Sequence, residues 1–192
     1  MKRPGAAVAA ALAACAIGAG VAQATATHDR DDVATSLDIA KAAGAHNRAS
    51  DELVHTVDFY GPVTPASMVT NKGKPPSTVC VEIWTRSTPR ESPPDYEACA
   101  GAAKGGKAWT ASIARKRERG AQLRIGSVKV EQPSDTRLVL RIDPGDIKRP
   151  ASYRWRTEST SFGADCANSS GCADYAPDRP ATAETRLSTP RA

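Results

Sequence analysis

The sequence lacks a long apolar run anywhere beyond its N-terminus. No stretch after residue 24 holds the roughly 18 consecutive apolar residues that a transmembrane helix needs. This absence excludes a membrane span from the bulk of the chain. The 40% hydrophobic content is nevertheless ordinary for a folded protein, so disorder along the whole chain is also excluded. A length of 192 residues favours one globular domain.

Familiar catalytic motifs are also missing. The chain contains no Gly-x-Ser-x-Gly, no His-Glu-x-x-His and no Ser-x-x-Lys. Of the three histidines, only His55 lies in a predicted strand, where it shares a face with Leu53 and Val57. That position is typical of a hydrogen-bonded core residue rather than a general base. A hydrolase with dispersed carboxylates needs no local motif, so it stays as an alternative.

The N-terminus has the layout of a secretory signal peptide. Positive Met1–Arg3 is followed by uncharged Gly5–Val21 and then by the small residues Ala22-Gln23-Ala24. We therefore predict a signal peptide over residues 1–24 and export of the rest. A membrane anchor is disfavoured because the segment is short and rich in weakly apolar Ala and Gly. Cleavage removes Lys2 and Arg3, which lowers the formal charge from +5 to +3.

A lipid anchor is the alternative to release. Leu12-Ala13-Ala14-Cys15 resembles a bacterial lipobox, in which Cys15 would carry the lipid and hold the protein at the cell surface. An apolar stretch over residues 16–21 would then follow the lipid, where tethers are usually polar. The sequence therefore favours release over lipidation.

Four cysteines remain after removal of the signal peptide: Cys80, Cys99, Cys166 and Cys172. An even number in an exported chain predicts disulfide bonds. Three pairings are possible, and we favour the local one, Cys80 with Cys99 and Cys166 with Cys172, because each pair closes a modest loop. The chain has no Cys-x-x-Cys and no histidines at zinc-ligand spacing, which disfavours a zinc site.

Alternation with a period of two dominates the remaining sequence, and no segment shows a long helical period. Gly- and Pro-rich turns separate about eight short strands, of which the clearest are Leu53–Tyr60, Val79–Trp84, Leu123–Val130, Thr136–Ile142 and Tyr153–Thr157. The pattern predicts an all-β, antiparallel β-sandwich, either Ig-like or jelly-roll-like, with two disulfides.

The predicted organisation has four parts. Residues 1–24 form the signal peptide, and residues 25–50 form an Ala-rich N-terminal segment with a first short strand. Residues 51–176 form the β-sandwich domain. Residues 177–192, rich in Pro, Thr and Arg, form a loose C-terminal tail.

Several short motifs occur in order along the chain: Asp32-Val33, Leu37-Asp38-Ile39, Val54-His55-Thr56-Val57, Tyr153-Arg154-Trp155, Cys166 to Cys172, Asp174 and Ala176-Pro177. Together they resemble a group of uncharacterised secreted proteins of actinomycetes, over roughly residues 29–180. The resemblance implies a secreted β-sandwich and supplies no catalytic residue.

Two kinds of ligand-binding residue are candidates. Trp84 and Trp155 lie in alternating strands and would stack a sugar ring if they faced outward, although core packing is the commoner place for tryptophan. The basic residues Arg115, Lys116 and Arg117 would attract an anionic envelope polymer, although a charged hairpin tip is usually a solvated turn. No nucleic-acid-reading module is visible, which disfavours a nucleic-acid partner.

Aspartates suggest a structural calcium ion as the one candidate cofactor. Asp174 and Asp178 follow the second predicted disulfide loop, and Asp29, Asp31 and Asp32 form a second cluster. Neither cluster matches the 12-residue calcium loop, which favours solvated loop acids. The sequence thus favours a non-enzymatic secreted module that binds carbohydrate, envelope polymer or another extracellular protein. A secreted hydrolase and a purely structural domain are the alternatives.

Overall fold

The computed structural model describes residues 24–69, 75–86, 93–116, 121–162, 166 and 171–188. Within these ranges the chain forms twelve β-strands and no α-helix, and the strands make two antiparallel sheets. The predicted all-β sandwich is confirmed, with more strands than the eight expected. Residues 1–23 of the predicted signal peptide, which include Cys15, lie outside the described residues, as does Arg117. No helix in the described part is long and apolar enough to cross a bilayer.

In chain order the strands are β1 (Thr25–His28), β2 (Ile39–Asn47), β3 (Glu52–Phe59), β4 (Thr78–Trp84), β5 (Tyr96–Ala102), β6 (Trp109–Lys116), β7 (Gln122–Ser127), β8 (Lys129–Ser134), β9 (Arg137–Ile142), β10 (Ser152–Ser161), β11 (Cys172–Ala176) and β12 (Ala183–Arg186). The first sheet has the order β1-β2-β3-β9-β8. The second has the order β11-β10-β4-β5-β6-β7, and β12 also pairs with β10.

The core lies between the two sheets and follows from the alternation of the strands. In β3 the inward residues Leu53, His55, Val57 and Phe59 are buried, while the residues between them are partly exposed. Strand β4 contributes Val79, Val81 and Ile83, and β9 contributes Leu138, Leu140 and Ile142, all fully buried. A period-two pattern therefore places one apolar face of each sheet against the other.

The predicted domain boundaries differ from the structure at both ends. Residues 25–50 carry two strands of the sandwich, β1 and β2, rather than one short strand. Residues 177–192, predicted as a loose tail, contain β12, whose Ala183–Arg186 pairs with Ser152–Trp155 of β10. Both ends therefore belong to the sandwich, because they complete the edges of its two sheets.

Both disulfides have the predicted pairing. Cys80 and Cys99 lie directly opposite each other on β4 and β5, with their Cα atoms 4.0 Å apart. Cys166 is bonded to Cys172 at the start of β11, with their Cα atoms 5.3 Å apart. Two disulfides are consistent with an oxidising, extracellular compartment.

At Gly44 the two layers approach each other closely. A Cβ atom at this position would lie 2.7 Å from Nε1 of Trp155 and 2.9 Å from Oγ1 of Thr185. These two partners are themselves fixed, since the Trp155 indole donates a 2.9 Å hydrogen bond to the Thr185 hydroxyl. Because Gly44 has no side chain, Trp155 of β10 can pack against β2 and fill the core.

We expect Gly44→Ala to destabilise the fold by about 2 kcal/mol, because the added methyl group overpacks the core against a fixed indole. Chemical denaturation would measure the effect. Gly101→Ala on β5 is the matched control, since its Cβ would meet the nearest atom at an ordinary 3.4 Å. The control should be neutral or slightly stabilising. Equal stability of the two variants would contradict the close approach.

Candidate functional site

The two predicted stacking tryptophans lie in different environments. Trp155 is fully buried in the core, where the His55 ring meets it edge-on with the ring centroids 5.1 Å apart. Trp155 presents no surface to a ligand, so it is a core residue rather than a sugar-stacking one. Trp84 does face outward from the second sheet, but it is only 5% exposed.

Guanidinium groups cover the aromatic rings on this outer face. The Arg156 guanidinium lies 5.3 Å from the Trp84 ring centroid and 5.1 Å from that of Tyr175, and Arg179 lies 4.0 Å from the Tyr175 ring. Arg156 also donates from Nε to Oε2 of Glu82, at 2.8 Å. Because these cation–π contacts already occupy the rings, this Arg–aromatic stack leaves Trp84 little surface on which a sugar could stack.

The outer face of the first sheet is also satisfied internally. It carries a ladder of ion pairs, Arg137 with Asp58, Arg141 with Glu131 and Lys129 with Glu52. Exposed pairs of this kind contribute little stability. They do, however, leave the face with matched charges and without a strong field of one sign.

The predicted basic patch is divided by strand geometry. Arg115 and Lys116 lie at the end of β6, where successive side chains point to opposite faces. The Lys116 ammonium is held by Glu97 of β5 at 2.5 Å. Within the described residues the two basic side chains therefore do not form a joint surface, and Arg117 is outside them.

One end of the sandwich brings the two predicted aspartate clusters together. The loop between β1 and β2, the residue after β3, and β11 with the turn that follows it all meet there. We call this the acidic end and define it by Tyr60 and six aspartates: Asp29, Asp31, Asp32, Asp38, Asp174 and Asp178. None of these aspartates forms an ion pair with the described residues.

Asp174 joins the two sheets at the acidic end. Its buried carboxylate accepts hydrogen bonds from the backbone N–H of Ile39, at 2.6 Å, and of Tyr175, at 2.7 Å. Burial, with the nearby Asp29 carboxyl, raises the pKa of Asp174 to about 7. Both oxygens of this predicted calcium ligand therefore already have backbone donors.

Asp178, the other predicted ligand, is exposed. Among the described residues, no three His, Cys, Asp or Glu side chains converge as a group that could hold a metal ion. A calcium site built mainly from acidic side chains is therefore not formed in this conformation.

Two other carboxylates at the acidic end have a buried oxygen without a partner. Asp38 accepts from the Val33 N–H through Oδ2, at 2.9 Å, while its Oδ1 has no hydrogen bond. Asp29 accepts from the Arg30 N–H through Oδ1, and its Oδ2 is unpaired. Burial raises the pKa of both groups. Buried polar atoms without a partner are uncommon, and two of the four among the described residues lie at this end, the others being on His55 and Thr157.

Tyr60 presents an aromatic surface among these carboxylates. It is 49% exposed, and its hydroxyl donates to the Asp29 carbonyl at 2.9 Å. Its backbone N–H donates to the Asp38 carbonyl at 3.0 Å. Partial burial and the negative charges of Asp31 and Asp38 raise the pKa of the phenol. Sequence reasoning did not select Tyr60, although an aromatic residue just before Gly61-Pro62, where a strand ends, was the available signal.

No family model, no curated protein and no solved structure matches the chain. We therefore infer function from the acidic end, where Tyr60 and the unpaired aspartates lie, and from the two outer faces, where the charges are largely matched.

Proposed function

We propose that this protein is a secreted, non-enzymatic module that binds a neutral carbohydrate at its acidic end. The half-exposed Tyr60 ring among aspartates without ion pairs is the observation that supports it. Carboxylate oxygens accept hydrogen bonds from sugar hydroxyls, and a tyrosine ring covers the apolar face of a pyranose. The same carboxylates would repel an anionic envelope polymer.

Export is part of the proposal. The predicted signal peptide supports it, as do the two disulfides and the resemblance to secreted actinomycete proteins. Anchoring through Cys15 is the alternative to release. The mass of the mature N-terminal peptide distinguishes the two, because a lipidated chain would begin at Cys15.

A secreted hydrolase is the second candidate function, and one observation favours it. Burial, together with the charge of the nearby Asp29, raises the pKa of Asp174 to about 7, and a carboxyl with such a pKa is suited to general acid catalysis. Burial of Asp174, with backbone N–H groups on both oxygens, opposes access by a substrate. Polysaccharide cleavage that Asp174→Asn abolishes would establish the hydrolase instead.

We expect Tyr60→Ala to weaken glycan binding at least tenfold, because it removes the surface on which the sugar stacks. A glycan array identifies the ligand, and titration with that glycan measures the loss. Leu123→Ala is the matched control, since Leu123 is comparably exposed at 42% but lies on β7 of the other sheet. An array without any bound glycan, or an unchanged affinity for Tyr60→Ala, would overturn the proposal.

A further inference from the structure

His46 is a buried histidine that contacts two different segments of the chain, at the end of the sandwich opposite the acidic end. It lies near the end of β2 and is only 2% exposed. Its Nε2 is 3.0 Å from Oδ1 of Asp51, in the turn between β2 and β3. Its Nδ1 is 3.1 Å from the backbone nitrogen of Ser188, which follows β12. The imidazole ring therefore joins the segment after β12 to the β2–β3 turn.

These two contacts fix the protonation state of the ring. A backbone N–H can only donate, so the bond from Ser188 requires a lone pair on Nδ1. The proton of the neutral ring then lies on Nε2, and the Asp51 carboxylate accepts it. Protonation would place a hydrogen on Nδ1, facing the Ser188 N–H. The Ser188 hydroxyl is 3.4 Å from Nδ1, which is too long to replace the backbone bond.

The charged group in contact with His46 favours the protonated ring. Hydrogen bonds from Arg149 and His46 lower the pKa of Asp51 to about 2, so this carboxylate is ionised beside the imidazole. Leu53, the residue opposite His46 on β3, is uncharged, and Arg48 of the β2–β3 turn is exposed. The next charged side chains along β3 and β12 pair with other residues: Glu52 with Lys129 and Arg141, and Arg186 with Glu184.

We propose that His46 is a pH-sensitive switch that holds Ser188 against β2 while its ring is neutral and releases Ser188 when its ring is protonated. Histidine is the side chain that changes charge between about pH 5 and 8. Asp51 accepts from Nε2 in both states, so only the bond to Ser188 is lost. Because the bonded state excludes the proton from Nδ1 and the released state admits it, acidification favours release. This inference does not depend on the proposed glycan binding.

Hydrogen exchange of the backbone amides, followed by NMR on the purified protein, tests the switch. We expect the protection factor of the Ser188 amide to fall at least about tenfold between about pH 7.5 and pH 5. The Leu187 amide is the internal reference, because it donates at 2.9 Å to the Ala151 carbonyl, which does not titrate. Its protection factor should change far less. Equal losses at both amides would show a general loosening of this segment and would overturn the switch.

Two histidine variants assign the effect to one ring. His46→Asn removes the titrating group but keeps an acceptor, because Oδ1 of asparagine occupies the same position along the side chain as Nδ1. The protection of Ser188 in this variant should not depend on pH. His28→Asn is the matched control, since it removes an exposed imidazole from β1 and should respond as the unaltered protein does. A pH response that persists in His46→Asn, or that disappears in His28→Asn, contradicts the assignment.

The ring nitrogens of the unaltered protein give a readout that needs no variant. Nitrogen-15 chemical shifts distinguish the two neutral tautomers of histidine, and we expect the Nε2–H form for His46 at the higher pH. On acidification the signals should change to those of the imidazolium together with the loss of Ser188 protection. The Nδ1–H tautomer, or an imidazolium while Ser188 is still protected, would rule out the switch even if His46→Asn does not fold.

Discussion

Replacing Glu82 by leucine is expected to lower the free energy of unfolding by about 3–5 kcal/mol. The reason is that Arg156 would lose the carboxylate that balances its buried charge. Arg156 is only 6% exposed, and its guanidinium has Glu82 as its one ion-pair partner among the described residues. Without that carboxylate a positive charge stays buried against two aromatic rings. Urea unfolding followed by tryptophan fluorescence measures the loss.

The double variant Glu82→Leu with Arg156→Met isolates the cause. Replacing a buried ion pair with apolar residues of similar size is often close to neutral, so the second substitution should recover most of the lost stability. If the single variant costs less than about 1 kcal/mol, the pair is solvated rather than buried. Failure of the double variant to recover would instead assign the loss to packing around Trp84.

Alternation along the strands predicts which residues lie on the outer face of the second sheet, but not how their side chains contact each other. A period of two places Cys80, Glu82 and Trp84 on one face of β4 and separates Trp155 from Arg156 on β10, as the structure has them. Periodicity does not specify which long side chains fold back over the sheet. Arg156 covers Trp84 because β4 and β10 are neighbours, and that pairing is a property of the topology.

Strand β2 shows where composition misleads. Its sequence, Ile39–Asn47, is dominated by Ala and Gly, which are poor strand formers, so local propensity predicts a loop over much of it. The small side chains are nevertheless required there, because Trp155 packs directly against Gly44. Tertiary packing overrides propensity at this strand. Strand β12 was missed for a related reason, since its four residues form a strand by pairing with β10, a contact that has no local signal.

The acidic end was predicted only in pieces. The aspartates near residues 29–32 and those near 174–178 are each recognisable in the sequence, but more than 140 positions separate them. Their meeting depends on the contact between β2 and β11 that Asp174 makes with the Ile39 N–H. Such a long-range contact has no local signal, so sequence reasoning cannot place Tyr60 between the two clusters.

Acidification should destabilise the protein through His55, which the structure confirms as a hydrogen-bonded core residue. His55 is fully buried, with Nε2 2.9 Å from the Tyr153 hydroxyl, and burial lowers its pKa from 6.5 to about 3. Between these values the unfolded chain binds a proton that the folded chain does not. The stabilisation is therefore complete above pH 6.5 and is lost as the pH falls, by about 1.4 kcal/mol for each unit.

His55→Gln separates this effect from the other titrating groups. Glutamine can still bond Tyr153 but does not titrate, so the difference in unfolding free energy between the two proteins should shrink by about 2–3 kcal/mol from pH 7 to pH 4.5. Asp174 acts in the opposite direction, because its raised pKa makes ionisation unfavourable in the folded state as the pH rises toward 7. That contribution is common to both proteins and cancels in the difference. A difference that stays constant across this range would show that His55 is protonated equally in the folded and unfolded chains.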